Sequence, residues 1–225
     1  MEPRPFADLS IFLRTSLGRT LVLADPHIGF EISRGLRVRT HYEEELVSFI
    51  RDSDPDALII LGDVKEPLGM GTELRRMLSG FFSAIGDRKI YITKGNHDGR
   101  IEGVAERFGV KVVPYLLLDD LLFLHGHTLL PALEFREAFL GHIHPAYRVK
   151  GTGKLTKVYL RVGRFLILPT VNPYLEGFDI KLGIEMIPFL KKAEVGDVFL
   201  PEGIYIGRVS FKKRGKSGEL RPHRA

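Results

Sequence analysis

The sequence predicts an α+β protein in which two β-sheets pack face to face with helices outside. Three observations carry that expectation. The first half of the 225-residue chain alternates short apolar runs with amphipathic stretches, the signature of a parallel sheet built from strand–helix–strand units. The second half carries apolar runs separated by two-residue or glycine turns, the signature of hairpins. An apolar fraction of 44% is ample for a real core.

Taken in order, "TLVLA" at 20–24 is an apolar run that stops at Asp25-Pro26-His27, the pattern of a buried strand. "THYEEELVSFIR" at 40–51 places Leu46, Val47, Phe49 and Ile50 at helical spacing behind acids in the first turn, so it reads as an amphipathic helix. "ALIILGD" at 57–63 is the next strand, a second helix lies within 71–86, and "IYIT" at 90–93 is the third strand. A short helix is expected over 101–108. "KVVPYLLL" and "LLFLHGH" are strands joined by the turn signal Asp119-Asp120. Beyond "FLGHIHPAYRV" comes the glycine turn "KGTGK". "LTKVYLRV" and "RFLILPTV" follow, joined at Gly163, and "EGIYIGRVSFKK" supplies a last strand. With no repeat, no low-complexity linker and no break in composition, the expectation is a single domain over 1–210 and a basic, mobile tail over 211–225.

Composition excludes several kinds of chemistry. There is no cysteine, so disulfides, thiolate catalysis and cysteine-bound zinc or iron–sulfur centres are out. Any metal must be held by His, Asp, Asn or Glu. No apolar run is long enough to span a bilayer, and "MEPRPFADLS" lacks the basic start and apolar core of a signal peptide, so the chain reads as cytoplasmic. Part of the net charge of +5 sits in "FKKRGKSGELRPHRA", where Lys212, Lys213, Arg214, Lys216, Arg221 and Arg224 face Glu219. That tail reads as a solvated end, with nucleic-acid contact left open.

The informative feature is how the strands end: Asp25-Pro26-His27, Gly62-Asp63, Gly95-Asn96-His97-Asp98, His125-Gly126-His127 and Gly141-His142-Ile143-His144. Of the eight histidines only His41 and His223 lie elsewhere. Each end taken alone reads as a turn or a helix cap. His142 and His144 are harder to dismiss, because residues two apart on an extended segment point the same way, and paired imidazoles in an apolar setting are costly unless something binds them. Strand C-termini are also where open α/β sheets place ligands. Together the ends supply Asp25, Asp63, Asn96 and four or more histidines. Oxygen and imidazole donors without sulfur suit Mn, Fe, Zn, Co or Ni and are too nitrogen-rich for Ca or Mg. Seven such donors fit two ions sharing one carboxylate, the arrangement that generates hydroxide near neutral pH and clamps both oxygens of a phosphoryl transfer.

The same pieces, in the same order, resemble the calcineurin-like metallophosphoesterase superfamily. Its pattern of Asp-x-His, Gly-Asp, Gly-Asn-His-Asp/Glu, a lone strand-end His and Gly-His-x-His is matched by "DPH", "GD", "GNHD", "HG" and "GHIH" between residues 25 and 144. The resemblance implies a four-layer αββα sandwich of two mixed sheets. It also implies a dinuclear centre, Mn first with Ni, Fe, Co or Zn as alternatives. Asp25, His27 and His144 would bind one ion, Asn96, His125 and His142 the other, and Asp63 would bridge. His97 would face the scissile phosphate and assist the leaving group while a metal-bridging hydroxide attacks, with Asp98 orienting its ring.

The chain also departs from that pattern. Lys65 stands where many relatives carry Asp or Asn, and could pair with Glu66 or another acid, or meet substrate phosphate. His127 and Arg100 are candidates for substrate contact, or else a turn residue and a solvated helix-start residue. "LADPHIGFE" and "GHIHPAY" look closest to archaeal phosphoesterases related to double-strand-break-repair nucleases and to DNA-ligase-associated phosphoesterases. Little chain follows His144 once the second sheet is built, which argues against a separate DNA-gripping region. The expected activity is therefore hydrolysis of phosphodiesters, small or at accessible nucleic-acid ends, with oligomerisation open. The alternatives are a phosphomonoesterase or protein phosphatase, and a non-catalytic metal-containing module that binds nucleic acid or protein.

Overall fold

The computed structural model describes residues 6–36, 38–148 and 153–211. The first sheet starts with a hairpin, β1 (Ile11–Thr15) and β2 (Gly18–Leu23). A helical turn α1 (Phe30–Ser33) and helix α2 (Tyr42–Ser53) lead to β3 (Ala57–Ile60), and helix α3 (Thr72–Ile85) leads to β4 (Lys89–Thr93). The one-turn α4 (Glu102–Ala105) precedes β5 (Lys111–Val113). The sheet order is β1-β2-β3-β4-β5, parallel from β2 onward.

The remaining strands are β6 (Tyr115–Leu118), β7 (Leu121–Leu124), β8 (Glu137–Leu140), β9 (Pro145–Arg148), β10 (Leu155–Lys157), β11 (Tyr159–Val162), β12 (Phe165–Ile167) and β13 (Phe178–Asp179). The turn α5 (Ile180–Gly183) then leads to β14 (Val195–Phe199) and β15 (Tyr205–Ser210). A seven-stranded mixed sheet runs β15-β14-β11-β12-β8-β7-β6, and a small third sheet runs β10-β9-β13.

Alternation along the strands builds the layers, because successive side chains point to opposite faces. Leu21, Leu23, Leu58 and Ile60 face the helices, where they join Leu46 and Ile50 of α2 and Leu74, Leu78 and Phe82 of α3. Their neighbours Val22, Ala24, Ile59 and Leu61 face the other way and meet Leu121, Phe123, Phe139 and Leu168 of the second sheet. Leu122, Leu124, Ala138, Leu140 and Leu160 point outward again, against Ile180, Ile184 and Ile187. The central strands β3 and β7 thus serve two cores, which is why their sequences are apolar throughout. The result is the α+β sandwich of two mixed sheets; the outer cover beyond the second sheet is thin, made of α5, a 3₁₀ turn and the small sheet.

Two apolar runs that read as single strands each serve two sheets. "KVVPYLLL" divides at Pro114, whose nitrogen has no hydrogen to donate, so β5 closes the first sheet and β6 edges the second. "LTKVYLRV" divides at Val158, whose N–H donates to Pro145 (2.9 Å), leaving β10 in the small sheet and β11 in the large one. The expected hairpins at Asp119-Asp120 and Gly163 form β6–β7 and β11–β12. The glycine turn at 150–154 lies outside the described residues except for its last two, and of the basic tail only Phe211 lies inside them. Among the described residues, no helix is long and apolar enough to cross a membrane.

Candidate metal centre

The strands β2, β3 and β4 are mutually parallel, as are β7 and β8, so the segments that follow them leave each sheet at one edge. There the two sheets' loops meet. Asp25, His27 and His144 offer donor atoms within 4.8 Å of one another, and so do Asp63, His125 and His142. Asn96 joins the second trio, its Oδ1 3.1 Å from His125 Nε2. Asp63 Oδ2 stands 3.3 Å from the same nitrogen, whereas His125 Nδ1 lies 3.4 Å from Asp25 Oδ1. His125 therefore sits between the carboxylates of the two trios.

Backbone geometry bends to bring these groups together. Asp25, His27, Asp63, His142 and His144 all have positive φ, between 42° and 77°, a region that non-glycine residues enter at a cost of about 1–3 kcal/mol each. Gly95 and Gly141 permit close approach rather than unusual torsions. A Cβ on Gly95 would fall inside Asp63, and one on Gly141 would lie 2.7 Å from both Asp25 Oδ2 and the Leu61 carbonyl.

The strain is offset by a dense set of bonds. The Asp25 carboxylate accepts from His142 N–H (2.9 Å), and His27 N–H donates to the Asp63 carbonyl (2.9 Å). A strap from the far end of the chain holds the other side: Thr170 Oγ1 donates to the Asp25 carbonyl (2.6 Å), and Asn172 Nδ2 (3.1 Å) and the Tyr42 hydroxyl donate to that of Pro26. Lys157 braces the strap through the carbonyls of Thr170 (3.1 Å) and Asn172 (2.5 Å), and burial pulls its pKa down to about 8. Of this strap the motifs say nothing. The one available signal is a buried Thr and Asn inside the apolar stretch "LILPTVNPY".

The charges suit cations. Burial drives Asp25 up to about 7, against the pull of His125 and with the push of Asp63. Asp63 is held below the usual carboxylate range: burial opposes ionisation, and the hydrogen bond and charge of His125 outweigh it. His125 is lifted to about 9, its burial outweighed by Asp63 and Asp25, and His27 is raised by Glu66 and the two aspartates despite its burial. Burial lowers His142 to about 4 and pushes His144 well down. Two buried carboxylates thus hold protons on two imidazoles, while His27 Nε2 and His144 Nε2 converge to 2.9 Å. Imidazole and carboxylate atoms aimed at common points fit divalent ions, whose binding would displace those protons.

His97 stands at the first trio, its ring edge-on to His27 at 5.4 Å and partly exposed. Its orientation differs from the expectation. Asp98 does not hold the ring: its buried carboxylate accepts from the backbone N–H groups of Val64 (2.8 Å), Lys65 (3.4 Å) and Gly95 (2.8 Å), tying two strand ends together. His97 Nδ1 lies instead 2.8 Å from the Glu66 carbonyl. Glu66, which the motifs do not single out as a site residue, also places its carboxylate 2.5 Å from His27 Nδ1.

Lys65 is likewise no substrate contact. It is fully buried, and its ammonium donates to the carbonyls of Pro67 (2.6 Å), Leu68 (3.2 Å) and His97 (2.5 Å) rather than to an acid. The ammonium satisfies loop carbonyls that face inward. Arg100 is exposed behind Gly99, with φ +64° and no hydrogen bond or ion pair to either trio. His127 does reach the site: its ring lies 5.1 Å from that of His125 and 6.0 Å from that of His142.

Comparison with known proteins matches residues 18–158 to the family model described as calcineurin-like phosphoesterase, a span that contains both trios. Among solved structures, the nuclease MPE of Pseudomonas putida superposes with a TM-score of 0.63 at 20% identity, covering 87% of this chain and 90% of that one. The phosphoesterase YfcE of E. coli gives a TM-score of 0.44 at 17% identity, over 86% of this chain and 99% of that one. No curated protein sequence matches.

Proposed function

We propose that the chain, which belongs to the calcineurin-like phosphoesterase family, hydrolyses phosphodiesters at a centre that holds two divalent ions, manganese first among them. The observation that carries this reading is the meeting of two acid–imidazole trios, Asp25–His27–His144 and Asp63–His125–His142, with a third donor group of His27, Glu66 and His97 alongside. Asp25, His27 and His144 would hold one ion and Asn96, His125 and His142 the other, with Asp63 shared. When bound, such ions supply a strong nucleophile at neutral pH and offset charge on the phosphoryl oxygens.

The protein's part is placement and one proton. With Nδ1–H donated to the Glu66 carbonyl, Nε2 is the nitrogen of His97 left to face the departing oxygen; the ring, protonated on both nitrogens, would give its Nε2 proton to that oxygen and be left as the neutral Nδ1–H tautomer. The diester preference follows from the cations. Among the described residues, the ion-pair contacts of Asp25 and Asp63 are with histidines alone, and Lys65 is spent on carbonyls. A monoanionic diester asks less positive charge of the site than a dianionic monoester does.

The test is metal-free protein reconstituted separately with Mn, Ni, Fe, Co and Zn and assayed on bis(p-nitrophenyl) phosphate and p-nitrophenyl phosphate. Metal-dependent turnover favouring the diester is the expected result. Faster monoester hydrolysis would assign a phosphomonoesterase, and inertness of fully loaded protein on both would leave a binding module.

Glu66 gives a separate check. A carboxylate on the outer nitrogen of a metal-binding imidazole fixes its tautomer and raises its basicity, and losing such a partner costs about 10–100-fold in metal affinity. Glu66→Gln keeps the size of the side chain, so the expected outcome is that loss of affinity, read by calorimetric titration with Mn²⁺, with an unchanged circular dichroism spectrum. Unaltered affinity would remove Glu66 from the site.

A further inference from the structure

A cleft of about 560 Å³ lies beside the second trio, with Asn96 and His127 among its lining residues. Val113, Pro114, Lys94, Glu102 and the exposed Thr128 line it as well. It is continuous with the candidate centre, since Asn96 Oδ1 and the His127 ring both approach His125, at 3.1 Å and 5.1 Å. His97 stands on the other side, against His27 of the first trio. A phosphate lying over both trios therefore directs one ester oxygen toward His97 and the other toward the cleft.

We propose that this cleft binds a nucleoside, the part of the diester that keeps the phosphate after hydrolysis, while the group that departs leaves past His97. The inference rests on the phosphodiesterase reading and adds the substrate class to it. Its volume lies within the range of small-ligand sites and accommodates one nucleoside rather than a duplex. Lys94 and Glu102 are bonded to each other and cancel, so the walls present no net charge for an ionic headgroup. The polar side chains among the lining residues do not suit an acyl chain. Apolar surface from Val113 and Pro114 together with the hydroxyl of Thr128, the amide of Asn96 and the imidazole of His127 suits a heterocycle joined to a sugar.

The test compares thymidine 5′-(p-nitrophenyl) phosphate with methyl p-nitrophenyl phosphate, which share a leaving group and differ only in what is retained. The Mn²⁺-loaded protein should prefer the thymidine ester in kcat/KM by at least about tenfold, a difference of about 1.4 kcal/mol. Thr128→Trp, a substitution at an exposed lining residue, should erase that preference through KM and leave the methyl ester within about twofold. Val113→Trp, at a second lining residue, fills the same cleft and should act alike. Calorimetric binding of thymidine 5′-monophosphate against methyl phosphate gives a second readout, with at least tenfold tighter nucleotide binding expected in wild type and lost in Thr128→Trp. Equal kcat/KM for the two esters, or a preference that survives in both folded variants, overturns the proposal. If neither ester is hydrolysed with any metal, the phosphodiesterase reading fails by itself, and the binding comparison then decides the cleft alone: tighter nucleotide binding upholds it and equal binding removes it.

Discussion

Asp63→Asn is expected to lower phosphodiester hydrolysis by at least about 10³-fold, some 4 kcal/mol of barrier, and to reduce bound metal below two ions per chain. The side chain is nearly fully buried. One carboxylate oxygen accepts the backbone N–H of His97 at 2.8 Å, and the other faces His125 Nε2 at 3.3 Å. Asparagine fills the same volume, so the loop that carries His97 keeps its shape. It removes the negative charge on which both trios draw, and it can turn a donor amide toward an imidazole nitrogen that a cation should meet. Elemental analysis of dialysed protein and kinetics at saturating Mn²⁺ measure the two effects. Two ions per chain with ordinary turnover would show that Asp63 is not the shared ligand.

His97→Ala is expected to separate chemistry from metal binding. His97 touches neither trio through a ligand contact of the proposed set. Its main-chain carbonyl is bonded to Lys65 (2.5 Å) and its backbone N–H to Asp63, bonds that alanine preserves. Metal content should therefore stay at two ions while kcat falls about 10²–10⁴-fold, the usual contribution of a positioned proton donor. The loss should be largest for alkyl leaving groups and smaller for p-nitrophenolate, which departs without a proton. A loss of the same size across leaving groups would assign His97 to orienting the phosphate rather than to protonating the departing oxygen.

The depth at which such residues can be read differs from one to the next. The parallel first sheet was legible because β2, β3 and β4 are buried on both faces, which leaves unbroken apolar runs, and because Leu46 and Ile50 or Leu74 and Leu78 recur at helical spacing. Pro114 and Val158 were not recognised as crossing points, since an apolar run carries no mark of which sheet it serves. The residues of both trios were legible as a set because each ends a strand and carries donor chemistry. Their support was not. Asp98 and His97 are neighbours in the chain, which suggests a partnership, yet the ring's bond goes to a carbonyl 31 residues away.

By itself the sequence determined the two-sheet architecture, the absence of sulfur ligands and the strand-end groups available to metals, because periodicity and residue chemistry are local properties. Only the tertiary structure decided that Glu66 stands behind His27, that Lys65 is turned into carbonyls, that Thr170 bonds the Asp25 carbonyl from 145 residues on, and that a cleft opens beside Asn96. Those depend on which loops meet when the sheets pack. A hydrogen bond is directional and short-ranged, so its partner is set by the packed geometry rather than by position along the chain.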